Sequence, residues 1–189
     1  MLWTAHHRGW VSVVAGLLLN GLIPGTGLAE PAAWHDPNLV ADLSYGIYCN
    51  RPPDSLSVDE DTIKGAVGRY SANPTLVRKT QTIPAIDDLL FGVIGREQPP
   101  SAANVTIVVD HPPLGPEGNT RESWVTQMNG NHPTFHGYYF DLIDGNPVGA
   151  WTITGTRGRK TLFKVQFDVV RPTTVDVAEQ KLCELGQVS

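Results

Sequence analysis

"AWTITGTRGRKTLFKVQFDVV", residues 150–170, decides the fold. Two β-rich runs, "AWTITGT" (150–156) and "KTLFKVQFDVV" (160–170), flank "RGR", which reads as a tight hairpin tip. In the second run Leu162, Lys164, Gln166 and Asp168 share one face. Phe163, Val165, Phe167 and Val169 share the other. One wet and one dry face is the signature of an antiparallel sheet in a two-layer sandwich. Trp151 is in phase with Ile153, which assigns it to the core.

Working back toward the N-terminus, similar runs recur between turn-forming Pro, Gly, Asn and Asp. They are "LVADLSYGIYC" (39–49), "TLVRKTQTIPAI" (75–86), "LLFGVIG" (89–95), "NVTIVVD" (104–110), "ESWVTQM" (122–128) and "HGYYFDLI" (136–143). Seven or eight short strands at regular spacing predict an all-β antiparallel sandwich in one domain, residues 30–189. Helical signals are few. "SVDEDTIKGAVG" (57–68) is read as one or two turns, with Ser57 as cap and acids in the first turn. "DVAEQKLCELG" (176–186) is the stronger case, with Asp176 as cap, Glu179 three residues on and Gly186 at the end. Ala178, Leu182 and Leu185 would face the body of the domain.

Residues 1–29 are expected to be a cleaved signal peptide. Arg8 is the segment's one charged residue. The apolar run "WVSVVAGLLLNGLI" is too short to span a bilayer comfortably and contains Asn20. Gly27 and Ala29 in "GLA" stand where a signal peptidase reads small residues, so the mature chain should start near Glu30. The competing reading is an uncleaved anchor. The chain's net charge of −5 argues against nucleic acid, which selects basic patches, and against anionic membrane surfaces. An exported location follows, with no stable membrane insertion once the signal is removed. In an oxidising compartment the two cysteines, Cys49 and Cys183, are expected to form a disulfide. It would tie the first strand to the last segment. The loop-entropy view assigns so long a loop about 4–5 kcal/mol as an upper value.

The order of "SYGIY", "FGVIG", a strand ending in "HPPL", "ESW", "GYYFD" and "GAWTITGTRGRKTLFKVQFDVV" resembles a family of exported bacterial proteins known as a domain of unknown function. The resemblance runs from about residue 43 to 170. It implies a single immunoglobulin-like or fibronectin-like sandwich and a periplasmic or secreted location, and it assigns no catalytic residue or ligand. The sequence departs from the family where "DGNPVGAW" approaches Trp151, and the helix around Cys183 lies beyond the shared region.

Several clusters invite chemistry. "DHPPLGPEGNTRESW" (110–124) holds His111 among Asp110, Glu117 and Glu122. His111 with such carboxylates would suit zinc or manganese. The plainer reading is a proline-stiffened connection, with His111 and Asp110 at a strand end. On a strand His132 and His136 would share a face but lie about 13 Å apart, too far for one ion, and His132 after "NGN" reads as a turn residue; His111 would have to join them. Arg157, Arg159 and Lys160 group cations at the hairpin tip, as an anion contact or a solvated tip guarding a sheet edge. Trp124 is a ligand-stacking candidate or a core anchor. Trp34 is the more exposable aromatic. "DEDTIK" (59–64) lacks the calcium-loop pattern, "NVT" at Asn104 is a chance sequon inside a strand, and neither a nucleophile elbow nor a phosphate loop is present. The expected function is therefore binding, without a cofactor, of an envelope protein or surface glycan, through loops or a sheet edge. A metal-dependent hydrolase using His111 with His132 or His136 and a nearby acid is the alternative, and a purely structural role is the third reading.

Overall fold

The computed structural model describes residues 32–99, 103–128 and 130–176. The expected signal segment and Cys183, with most of the expected C-terminal helix, lie outside the described residues. The strands are β1 (Ala33–His35), β2 (Val40–Tyr48), β3 (Ser55–Val58), β4 (Ala66–Arg69), β5 (Leu76–Arg78), β6 (Thr82–Pro84), β7 (Leu90–Glu97), β8 (Asn104–Leu114), β9 (Asn119–Gln127), β10 (Thr134–Tyr139), β11 (Gly149–Arg157) and β12 (Lys160–Val170). A 3-10 turn covers Leu142–Asp144.

One sheet runs β1-β12-β11-β8-β9, with β6 pairing parallel to β12 beyond β1. The second runs β10-β7-β2-β5, and β3 with β4 forms a separate hairpin. The seven long strands make the sandwich that the sequence predicts. The additional strands are three- or four-residue pieces, with β1, β5 and β6 paired to sandwich strands and β3 and β4 only to each other. "TLVRKTQTIPAI" splits into β5 and β6, which join different sheets.

The hairpin β11–β12 forms as read, with Gly158 at φ +57 turning the tip. Phe163, Val165, Phe167 and Val169 are buried, as is Trp151. Leu162, expected on the wet face, is also buried. The ladder shifts register between Gly155 and Thr156, close to that residue's pairing region, so strict alternation fails near the tip. Any side chain at Gly155 requires the Phe163 ring to move. A Cβ would stand 2.3 Å from the Phe163 ring.

Phe91 of β7 joins the layers. Its ring meets Trp151 at 5.5 Å and Phe167 at 5.2 Å across the sandwich, both edge-on, and Phe140 at 5.0 Å. The Trp151 indole N–H donates to Pro147 O at 2.7 Å, so its polar end is satisfied inside the core.

Two local readings are corrected. Residues 57–68 form no helix; they span most of the β3–β4 hairpin, where Gly65 takes φ +65. The acids lie in the hairpin loop, where Asp59 O accepts from Thr62 Oγ1 and Asp59 N donates to Gly65 O. The C-terminal helical turn starts earlier than expected. Thr173, rather than Asp176, is its cap: Asp176 Oδ2 accepts from Thr173 N at 2.9 Å, while Asp176 N donates to Thr173 Oγ1 at 3.4 Å.

Candidate functional site: a groove between two sheet edges

"DHPPLGPEGNTRESW" is chiefly a β-hairpin, not a loop between distant strands. β8 continues to Leu114 and β9 begins at Asn119, so only 115–118 connect them. Along β8 the buried positions are Val105, Ile107, Val109 and His111. His111 therefore does not cap a strand end. It occupies the next inward position in the core's own period of two. The two prolines are accommodated because the β8–β9 ladder shifts register between Asp110 and Leu114.

On β9 the inward positions are Glu122 and Trp124, paired with Val109 and Ile107. Glu122 is 3% exposed. Its Oε2 accepts from Ile63 N, in the β3–β4 loop, at 2.8 Å. Its Oε1 lies 3.2 Å from His111 Nε2, off the line a hydrogen bond requires, so proximity there gives neither atom an aligned partner. His111 Nδ1 is 2.7 Å from Pro112 O, and the ring stacks on Trp151 at 4.9 Å. Tyr138 of β10 lies against the same carboxylate. Burial, then the Glu122 charge and hydrogen bond, push its phenol far up.

Two residues before Tyr138 on the same inward face, His136 is 3% exposed, stacked on Phe163 at 6.2 Å, with Nε2 unpartnered. Burial, helped by the Arg69 charge, lowers its imidazole to about 4, so the ring is neutral at ordinary pH. His132 is exposed, in the connection before β10. The histidine set proposed for a metal thus stays dispersed. Among the described residues, no group of three or more His, Cys, Asp or Glu side chains is gathered to hold a metal ion. The hydrolase built on His111, His132 and His136 loses its geometric basis.

The edge strands β9 and β10 belong to different sheets, and between them runs a groove of about 1020 Å³. The β3–β4 hairpin lies along it, attached by side chains and loop backbone and not by a strand ladder. Arg69 donates to Thr126 Oγ1 at 2.9 Å and Val125 O at 3.2 Å. Ser123 N donates to Asp61 O at 3.2 Å. Lys64 bridges Asp141 at 2.6 Å and Asp144 at 2.7 Å, beside the 3-10 turn. Trp124, Glu122 and His136 line the groove with Tyr70, Tyr138 and Tyr139.

Of the binding candidates, Trp124 alone reaches the groove, and it is 7% exposed. His111 sits behind Glu122 with its side chain fully buried. Arg157 is not a solvated cation. Its guanidinium pairs with the buried Glu97 carboxylate at the end of β7, linking the two sheets. Arg159 and Lys160 are exposed at the tip. Tyr70, Tyr138, Tyr139 and Arg69 escape a sequence reading, because the long-range docking of the hairpin brings them together. The one local signal was the phase of Glu122 with Trp124.

Similarity to known proteins agrees with this architecture. No curated protein matches the chain. An immunoglobulin-like protein from Pseudomonas aeruginosa is similar in structure, with a TM-score of 0.51 and 18% identity, over 75% of this chain and 99% of that one. A family model described as a domain of unknown function, DUF3859, matches residues 37–169. The chain therefore belongs to the DUF3859 family, and its fold is an immunoglobulin-like β-sandwich.

Proposed function

We propose that this chain is an exported, non-enzymatic binding module that engages an envelope component, protein or surface glycan, through the β9–β10 groove. One observation carries the reading. The sandwich leaves open a groove lined by aromatic and hydrogen-bonding side chains, the usual build of a recognition site. The support for export, to the periplasm or outside the cell, is the leader-like pattern of residues 1–29.

A Cys49–Cys183 disulfide belongs to the same proposal. The Arg78 guanidinium is 3.3 Å from Asp176, and Arg78 pairs with Ile47, two residues before Cys49. Cys183 follows Asp176 by seven residues. Seven residues span at most about 25 Å when extended, which is chain enough for Cys183 to meet Cys49.

The test is affinity capture of envelope material by the mature protein, with the same protein carrying Tyr139→Arg in the groove or Gln166→Arg on the exposed face of β12. Capture that Tyr139→Arg abolishes and Gln166→Arg retains is the expected result. Capture unaffected by Tyr139→Arg would overturn the groove reading. Mature protein starting near Glu30 in the envelope fraction is expected; an uncut chain in the cytoplasm would overturn export.

A further inference from the structure

We propose that the groove is a binding site for an uncharged oligosaccharide, and that the β3–β4 hairpin is its lid, with Glu122 exchanging the Ile63 amide for ligand hydroxyls. The inference rests on the groove reading above and adds the ligand's chemical class. Three independent observations converge on it.

The first is unused hydrogen-bonding capacity. Glu122 Oε1 and His136 Nε2 are buried polar atoms without an aligned partner, and both residues line the groove. Such atoms are costly to leave unsatisfied, and native interiors rarely do so. A hydroxyl both donates and accepts, so one ligand type satisfies a carboxylate oxygen and a ring nitrogen alike.

The second is charge. Of the cations lining the groove, Arg51 and Lys64 are paired with aspartates, which leaves Arg69 to disfavour a cationic ligand. The buried Glu122 carboxylate at the floor disfavours an anionic one. A neutral polyhydroxyl chain meets neither penalty. The volume, about 1020 Å³, is at the upper end of small-ligand sites and accommodates several sugar rings. Tyr139, 42% exposed on β10, offers a ring for a sugar's apolar face.

The third is the attachment of the hairpin. β3 and β4 pair with each other and with no strand of the sandwich. The loop 59–65 is held over the floor by Ile63 N to Glu122, Asp61 O to Ser123, and Lys64 to the two aspartates. Ile63 and Val67 also pack against the core, so lifting the loop exposes apolar surface as well as breaking these bonds, but it breaks no sandwich ladder. Oε2, which the Ile63 amide occupies while the loop is down, is the carboxylate oxygen that a ligand hydroxyl meets as the loop lifts.

The test titrates the mature protein with neutral tetrasaccharides (cellotetraose, maltotetraose and the N-acetylglucosamine tetramer), with the glucosamine tetramer and tetragalacturonate as cationic and anionic counterparts. Tryptophan fluorescence reports binding, since Trp124 lines the groove. Saturable binding of a neutral tetramer, tighter than either charged one, is expected. Tyr139→Ala at the exposed ring should weaken it about tenfold. Glu122→Gln should weaken it as well, and the Ile63 amide should lose exchange protection in the complex. Absence of binding by every neutral tetramer, preference for a charged one, or indifference to Tyr139→Ala would overturn the saccharide assignment. If envelope capture still depends on Tyr139 while no oligosaccharide binds, the saccharide assignment falls and the groove reading stands. If capture ignores Tyr139, the groove reading falls with it.

Discussion

Acid should destabilise this protein through one buried histidine. His136 is neutral in the fold, lowered by burial and by Arg69 from 6.5 to about 4. The unfolded chain therefore binds a proton that the folded chain refuses, over the window from about pH 6.5 down to about 4. Stability rises with pH wherever the unfolded state holds more protons, so this contribution is complete above 6.5 and is lost as pH falls toward 4. A shift of about 2.5 units corresponds to roughly 3 kcal/mol at 1.36 kcal/mol per unit. Against a total of about 5–15 kcal/mol, that is a large share. The assay is urea unfolding at pH 7.5, 6, 5 and 4, for the native protein and for His136→Leu, a non-titrating side chain of similar volume. Carboxylates titrate in both, so the difference between the two curves isolates His136. The native protein should lose about 3 kcal/mol more than the variant across the window. Parallel curves would refute the buried neutral imidazole.

Phe91→Ala removes the ring that joins the two layers at Trp151 and Phe167, and should cost about 3–5 kcal/mol in denaturant unfolding, whereas Leu56→Ala, 70% exposed, should change little. Gly155→Ala must displace the Phe163 ring, and should cost about 1–3 kcal/mol as an overpacked core does. Protein taken from its own compartment should show no reactive thiol under denaturing, non-reducing conditions. Reduction should then lower its stability by about 2–5 kcal/mol; two labelled thiols would contradict the disulfide.

The legible parts of the fold were those where one strand carries its own evidence. The β11–β12 hairpin announces itself through strict alternation and a Gly-containing tip. The corrections share one cause, namely local signals overruled by distant partners. Ser57 and its acids resemble a helix start. Yet the segment gains more as a hairpin docked on β9, where Glu122 receives the Ile63 amide. Pro112 and Pro113 read as a loop, although the inward phase of Val105, Ile107 and Val109 continues into His111. The short strands β1, β5 and β6 have too few residues to show a period, and exist because a neighbouring edge accepts them. The groove left the least trace. Trp124 and Glu122 were visible as residues, but their relation to Tyr138 and His136 arises only when two sheets close on one another.

The central claim, that the molecule acts through the β9–β10 groove, is most directly tested by placing a photo-crosslinking amino acid at position 139 in the producing cells, with position 166 as the control. Illumination should give a discrete envelope adduct from position 139 and none from 166. Adducts from 166 alone, with 139 silent, would show that the working surface is elsewhere on the sandwich.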